Sequence, residues 1–291
     1  MKIALATHRQ GILTLTSEDG YLMALKNWEY KVKTDGKAKD IDRFRTFLAK
    51  QVLPWEAEEE ERLCKIIGAL NHKLDKLKSA IVADTLKSIF IIKTTGLDEW
   101  RSAYTRENSI ILPVNKLETY DDLALEKLLA HEVFHVLSRF NEPLRKRLYE
   151  LLGYEKVQID WKAHEISKRI LVNPDALDTT WALVDKDREN VNWTIPIIFL
   201  REGHSDFQAQ DISDRIAFKL YTLHPNQRQG VIQEVEAVKE FKNRFGAYGF
   251  MGHHPEEVLA EAFVSWMYGL DHRPYIESDW FEVFCQTLSS N

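Results

Sequence analysis

Two histidines and a glutamate stand together in the segment His131-Glu132-Val133-Phe134-His135, which has the pattern HExxH. If this segment is helical, residues four apart lie one turn above each other, so the two imidazoles can bind one zinc ion. Glu132 lies off that pair but close to the metal, where a carboxylate can take a proton from a zinc-bound water. The pattern therefore predicts a zinc site with His131 and His135 as ligands and Glu132 as the base.

The surroundings of this motif are apolar. Residues 128–137 read LLAHEVFHVL, in which Glu132 is the one charged residue. Such a helix is buried on nearly all sides, and a glutamate buried between two histidines is costly unless a partner stabilises it. A metal ion with its water would be such a partner. The alternative is a core helix whose histidines hydrogen-bond to the backbone.

Two histidines leave a catalytic zinc ion one protein ligand short, because such sites take three protein ligands and keep one position for water. The metzincin pattern would place a glycine and a histidine three and six residues after His135. Ser138 and Asn141 stand there instead, which excludes that pattern. The third ligand is therefore expected elsewhere in the chain.

Residues 254–266 provide the best source of a third ligand. Glu257 and Glu261 are four apart, so they share one face of an otherwise apolar helix. One carboxylate can bind zinc while the other accepts the free N–H of a ligand histidine. Spacing alone does not decide which of the two binds the metal, and exposed acids on a helix are the alternative for both.

A glycine-rich segment, residues 246–252, precedes this helix and contains Tyr248. A tyrosine there can donate a hydrogen bond to the oxyanion of a tetrahedral intermediate, and a packed loop aromatic is the alternative. His253 and His254 could serve the same purpose or act as ligands. Two histidine–acid pairs are interpreted as solvated surface: His164 with Glu165, and His204 with Asp206.

These motifs together resemble the zincin metallopeptidases of the gluzincin branch, in which HExxH is followed downstream by a glutamate and, four residues later, by an acid. Around Tyr248-Gly249 and residues 257–263 the chain is most similar to the anthrax lethal factor catalytic domain. The resemblance covers about residues 85–140 and 245–270. It implies the following roles: zinc ligands His131, His135 and Glu257, the base Glu132, the second-shell acid Glu261, and the phenol Tyr248, which helps to stabilise the tetrahedral intermediate.

The fold expected from these patterns is α+β and zincin-like, with a twisted sheet whose edge strand lies over the HExxH helix and a mainly helical C-terminal lobe. Residues 1–80 are expected to form an N-terminal hairpin and helical region, and residues 81–291 the catalytic domain. His135 and Glu257 are 257 − 135 = 122 positions apart. That gap predicts an inserted β-containing subdomain at about residues 155–225.

Local patterns predict the individual elements. Weak alternation predicts a hairpin over 11–32, and Pro113 restricts the strand 109–114 to a sheet edge or to its own end. A peptide substrate is expected to add along the sheet edge near Ile110 to Pro113. The sequence predicts further strands at 88–94, 193–200 and 212–223. It predicts helices at 56–78, 143–152, 160–171 and 226–245. Two more helices have end signals: one runs from a Thr119-x-x-Asp122 capping box to Asn141, and the other starts at Pro255.

Composition restricts the classes of partner. The 39 Lys and Arg against 45 Asp and Glu give a net charge of −6 without a basic cluster, which argues against nucleic acid and anionic membranes as partners.

Cys64 and Cys285 are expected to be core thiols. The N-terminus has no signal-peptide pattern, so a cytoplasmic location is expected, with secretion by another route left open. The sequence does not give the oligomeric state.

The sequence therefore predicts a metallopeptidase that contains one Zn²⁺ per chain and hydrolyses a peptide or protein substrate with water activated by Glu132. Two alternatives remain open at this level. The first is a non-catalytic binding protein on a zincin scaffold, and the second is a zinc hydrolase of non-peptide substrates.

Overall fold

The computed structural model of the chain is α+β and divides into two units, Met1–Glu142 with Leu288–Asn291, and Pro143–Thr287. None of the helices in the described part of the chain has the length and apolar character that a bilayer crossing requires. The structure describes residues 1–75, 77, 81–82, 86–187, 190–201, 215–224, 227, 229–238, 241, 254–270 and 278–289.

A mixed sheet forms the centre of the first unit, with strand order β1-β2-β4-β3 among the described residues. β1, β2 and β4 are parallel, and β3 pairs antiparallel with β4. Isoleucines on the two central strands are fully buried, as expected for parallel strands covered on both faces. The strands are β1 (Lys2–Leu5), β2 (Ser88–Thr94), β3 (Tyr104–Arg106) and β4 (Ser109–Pro113).

β4 occupies an interior position in this sheet, so the expected peptide-binding edge near Ile110 to Pro113 is wrong. Ile110 pairs with Ile91 of β2 on one side and with Thr105 of β3 on the other. The reason is a tight β3–β4 hairpin, which covers the side of β4 that the sequence pattern left open. Pro113 lies at the end of the strand, which is the other position that a proline permits.

Helices surround this sheet in the first unit. Their bounds are α1 (His8–Thr16), α2 (Gly20–Ala24), α3 (Asn27–Lys33), α4 (Ile41–Gln51), α5 (Ala57–Leu74), α6 (Val114–Thr119) and α7 (Asp122–Phe140). The helix predicted over 56–78 is confirmed as α5, which ends at Leu74. Its buried face carries Leu63, Ile66, Ile67, Leu70 and Leu74.

The hairpin predicted over residues 11–32 is wrong, because this stretch forms α1, α2 and most of α3. Thr7 caps α1 in a capping box with Gln10, and the Asp19 carboxylate accepts a hydrogen bond from the Leu22 amide at 2.9 Å. Gly20 is thus the first residue of a helix. Two N-caps, each within hydrogen-bond reach of its helix, outweigh a weak alternation of apolar residues.

A buried polar cluster ties the loop that follows β2 to α2 and α3. Lys33 binds both carboxylate oxygens of Glu99, at 2.7 and 2.8 Å, and the Tyr21 hydroxyl also donates to Glu99. Arg106 donates to Asp19 at 2.5 Å. Because each of these four charged side chains is buried with an opposite charge, the cluster connects three separate segments without leaving a lone charge in the core.

Asp98 adjoins this cluster and is 1% exposed. Its carboxylate accepts a hydrogen bond from the Tyr104 hydroxyl at 2.7 Å. Burial raises the pKa of Asp98 to about 6 from an ordinary value of 3.8, although the hydrogen bond from Tyr104 opposes the rise. The folded protein therefore favours the protonated form of the Asp98 carboxyl more strongly than the unfolded chain does.

Replacing Asp98 with asparagine should change how stability depends on pH. Since the folded pKa is raised, the contribution of Asp98 is fully present below about pH 4 and is lost as the pH rises through about 6. Asp98→Asn should therefore be more stable than the wild type above pH 6, by roughly 1–3 kcal/mol, with a smaller or reversed difference at pH 4. Urea unfolding between pH 4 and 8 measures this. The exposed Asp42→Asn is the control, and parallel pH profiles for Asp98→Asn and wild type would contradict the prediction.

The second unit contains a larger antiparallel sheet with order β10-β9-β8-β7-β5, and β6 also pairs with β8. Apolar residues of β6, β7, β8 and β9 share one core cluster with Val157 and Ile166. The elements are α8 (Glu142–Leu151), β5 (Tyr154–Lys156), β6 (Ile170–Leu171), β7 (Trp181–Asp187), β8 (Asn190–Leu200), β9 (Ile216–Leu223), β10 (Val231–Gln233), α9 (Pro255–Tyr268) and α10 (Ser278–Leu288).

The helix predicted over 160–171 is wrong, because these residues form two short 3₁₀ turns and β6. The helix predicted over 226–245 is wrong at residues 231–237, which form β10 and a 3₁₀ turn at Val235–Ala237; Phe241 is helical, and the other residues of 239–245 lie outside the described part of the chain. In both places strand pairing, with β8 or with β9, supplies hydrogen bonds that the local pattern did not reveal. The strands predicted at 193–200 and 212–223 correspond to β8 and β9, and the helix at 143–152 to α8.

Candidate functional site

The HExxH segment lies in the second half of α7. Asp121 is the N-cap of this helix, since its carboxylate accepts the Ala124 amide at 2.7 Å. The predicted capping box at Thr119 is therefore wrong: Thr119 ends α6, and its hydroxyl donates to the Asn115 carbonyl. The helix ends at Phe140 with Asn141 as its C-cap, as the sequence predicted.

Both imidazoles of the motif lie on the same side of α7. The ring centroids of His131 and His135 are 4.8 Å apart and the ring planes are 81° apart, as expected for residues one turn from each other. His131 is partly exposed, whereas His135 is 1% and Glu132 3% exposed. The predicted burial of this helix is thus confirmed, and it places a carboxylate and an imidazole in an apolar setting.

Side chains at both ends of α7 hold the helix in the first unit. Near its start Glu126 accepts from Lys73 of α5 at 2.7 Å. Near its end Arg139 donates to the Thr105 hydroxyl at 2.7 Å and to the Glu107 carbonyl at 2.8 Å. Arg139 thereby joins the helix to the β3–β4 hairpin, and these contacts fix the position of the HExxH turns relative to the sheet.

Replacing Arg139 with methionine should loosen this attachment. The variant keeps much of the aliphatic packing but removes two hydrogen bonds from a charged, half-buried donor, so the free energy of unfolding should fall by about 1–2 kcal/mol. Urea unfolding measures the loss. Arg43→Met is the matched control, because the Arg43 side chain is 62% exposed and its contact with the Asp40 carboxylate, at 3.7 Å, is longer than a hydrogen bond. Equal losses in the two variants would contradict this role of Arg139.

The helix predicted to supply the third ligand is confirmed as α9. Pro255 occupies its first turn, the His254 imidazole accepts the Glu256 amide at 3.1 Å, and Gly269 ends the helix with φ 62°. These features match the sequence rules for helix ends. His254 therefore acts as an N-cap, a function that the sequence analysis did not assign to it.

The acidic residues of α9 differ sharply in burial. Glu256 is 1% and Glu257 6% exposed, whereas Glu261 is an exposed residue. Sequence spacing could not distinguish Glu257 from Glu261, and burial separates them. Glu256 was not singled out from the sequence, because it lies off the face that Glu257 and Glu261 share.

Tyr149 of α8 is a second residue that sequence reasoning missed. Its hydroxyl donates to the Glu256 carboxylate at 2.5 Å, and both side chains are buried. Burial raises the pKa of the Tyr149 hydroxyl well above its usual range, and the negative charge of Glu256 raises this pKa further. The two residues are 107 positions apart in sequence, so no local pattern connects them.

The chemistry of the side chains indicates which residues could hold a metal ion. Among the described residues these include His131, Glu132 and His135 in the first unit, and Asp175 and Glu257 in the second unit. Two imidazoles and one carboxylate are the ligands of many catalytic zinc sites. Asp175 was not singled out from the sequence, since a turn sequence such as Asn173-Pro174-Asp175 gives no signal of metal binding.

The burial of one histidine and of the two cysteines differs from the sequence predictions. The prediction for His164 is wrong: it is 6% exposed, and its Nδ1 atom lies 2.8 Å from the Tyr221 hydroxyl. Cys64 is exposed and not a core thiol, and Cys285 is half-buried. The predicted residues Tyr248, His253, His204 and Asp206 lie outside the described part of the chain.

Comparison of the chain with known protein families, with curated proteins and with solved structures finds no match.

Proposed function

We propose that the protein is a zinc-dependent metallopeptidase that hydrolyses peptide bonds with a water molecule activated by Glu132. The observation that carries this proposal is the geometry of α7, on which two imidazoles face the same side one turn apart and flank a buried carboxylate. Polar side chains are costly at buried positions of an apolar helix. Metal binding would explain why polar groups stand at these positions.

The proposed ligands of one Zn²⁺ per chain are His131, His135 and Glu257. These side chains provide the nitrogen and oxygen donors that zinc prefers and leave a fourth position for water. The burial of Glu257 favours it over the exposed Glu261 as the ligand. Glu261 is then left for the outer-shell role that the resemblance to gluzincins implies, as an acceptor for a ligand histidine.

Each remaining residue has a role that follows from its chemistry. Bound zinc would lower the pKa of its water and polarise the scissile carbonyl. Glu132 would accept a proton from a water molecule in the site and deliver it to the leaving nitrogen. Tyr248 donates a hydrogen bond to the oxyanion, as the resemblance to gluzincins implies. A peptide or protein is the proposed substrate.

We further propose that the first unit has a zincin-like fold. Two features support this: α7 packs against β3 and β4, and β3 is an antiparallel strand at the edge of the sheet. The HExxH helix is thus covered by a mixed sheet with an edge strand.

Zinc content tests the ligand set. Protein purified without added metal and then reconstituted with Zn²⁺ should hold about one zinc per chain, and His131→Ala and Glu257→Ala should each lose it, because removing one of three ligands leaves too few donors. Elemental analysis after dialysis measures this. His72→Ala and Glu282→Ala, both at exposed positions, are the controls. A wild-type protein that holds no zinc after reconstitution would reject the proposal.

The exchange Glu132→Gln tests the catalytic role. The variant keeps the size of the side chain and should retain zinc, but it cannot take a proton, so hydrolysis of a mixed fluorogenic peptide library should fall by about 100-fold or more. Glu282→Gln is the matched control on the exposed face of α10. Full activity in Glu132→Gln would exclude this residue as the base. A wild-type protein that binds zinc tightly but cleaves no peptide would favour a binding protein or a hydrolase of other substrates.

A further inference from the structure

We propose that Tyr149 is a positioning residue for the third metal ligand: through its hydrogen bond to Glu256 it fixes the first turn of α9 and hence the direction of the Glu257 carboxylate. This inference rests on the proposed function, because it assigns Tyr149 a part in metal binding. Tyr149 itself is not proposed to touch the metal or the substrate.

The contacts of Tyr149 are well suited to this task. Its hydroxyl donates to a Glu256 oxygen at 2.5 Å, which makes a short hydrogen bond to a charged acceptor. Its ring stands edge-on to Trp181 at 5.0 Å and to His254 at 6.4 Å between centroids. The ring is therefore held by packing on two sides, and a donor with a fixed ring has a fixed direction.

The position of Glu256 in the helix makes this hydrogen bond effective. His254 is the N-cap of α9, so Glu256 and Glu257 are the second and third residues of its first turn. The ends of helices fray because their first N–H groups have no partner within the helix. Here the His254 imidazole accepts the Glu256 amide, and Tyr149 holds the Glu256 side chain. Backbone and side chain of the same residue are thus both fixed.

Fixing Glu256 also fixes its neighbour. Successive Cα–Cβ bonds on a helix point about 100° apart, so a first turn that is fixed at Glu256 also fixes the direction of the Cα–Cβ bond of Glu257. Two adjacent buried carboxylates could otherwise compete for one metal ion. The hydrogen bond from Tyr149 engages the Glu256 carboxylate within the second unit, which opposes its use as a metal ligand.

The experiment compares the zinc affinity of Tyr149→Phe with that of the wild type and of Tyr221→Phe, by competition with a chromophoric chelator. Tyr221 is the matched control, since it is a buried tyrosine of the same unit whose hydroxyl bonds to His164 and to the Gly230 amide. Loss of a partner that bonds directly to a metal ligand weakens metal binding by about 10- to 100-fold, and Tyr149 bonds to the residue beside the ligand, so the lower end of that range, about 10-fold, is expected. Tyr149→Phe should show such a loss, and Tyr221→Phe should stay within about twofold of the wild type.

A second variant keeps the test decisive if Tyr149→Phe fails to fold, because that change removes a donor from a buried carboxylate. The double variant Tyr149→Phe/Glu256→Met removes both members of this hydrogen bond and should remain folded. Weak zinc binding by this folded double variant supports the inference, and wild-type affinity in it would overturn the inference.

Amide hydrogen exchange separates failure of the inference from failure of the proposed function. In metal-free protein the amides of the first turn of α9, at residues 257 and 258, should exchange faster in Tyr149→Phe than in Tyr221→Phe. Unchanged exchange there would overturn the positioning role whatever the metal does. A wild-type protein that binds no zinc would instead reject the proposed function, while faster exchange in Tyr149→Phe would still show that Tyr149 fixes the turn.

Discussion

The burial of the Glu132 carboxylate and the His135 imidazole on an apolar helix is the constraint on which the rest of this structure depends. Glu132 is 3% exposed between His131 and His135, and such groups lose favourable hydration when they leave water. A helix that carries this cost needs support from its surroundings. α7 receives it from an aspartate cap at its start, from α5 along its length, and from Arg139 at its end.

Buried polar groups elsewhere follow the same principle. In the first unit Lys33 pairs with Glu99, and Arg106 with Asp19. In the second unit Glu256 accepts a hydrogen bond from Tyr149, and His164 lies beside the Tyr221 hydroxyl. Each of these pairs joins segments far apart in sequence. In these pairs, interior polar groups have long-range partners, and the contacts also connect distant segments of the chain.

The accuracy of the sequence predictions depended on the range of the interactions involved. α5 and β2 followed from apolar spacing alone, because each has one strong period over many residues. The helix over 226–245 was wrong at residues 231–233, where strand pairing with β9 decided the outcome. The hairpin over 11–32 was wrong for a local reason, because two helix caps outweighed a weak alternation of apolar residues. His164 was misjudged because its partner, Tyr221, is 57 positions away.

The sequence by itself determined that two histidines would face one side of a helix with a glutamate between them, because helical geometry and apolar flanks are local properties. It also determined the start of α9 at Pro255. Only the tertiary structure decided that Glu257 is buried and Glu261 exposed, that Tyr149 binds Glu256, and that β4 is an interior strand. Burial and pairing depend on which distant segments pack together, and no local spacing of residues specifies that packing.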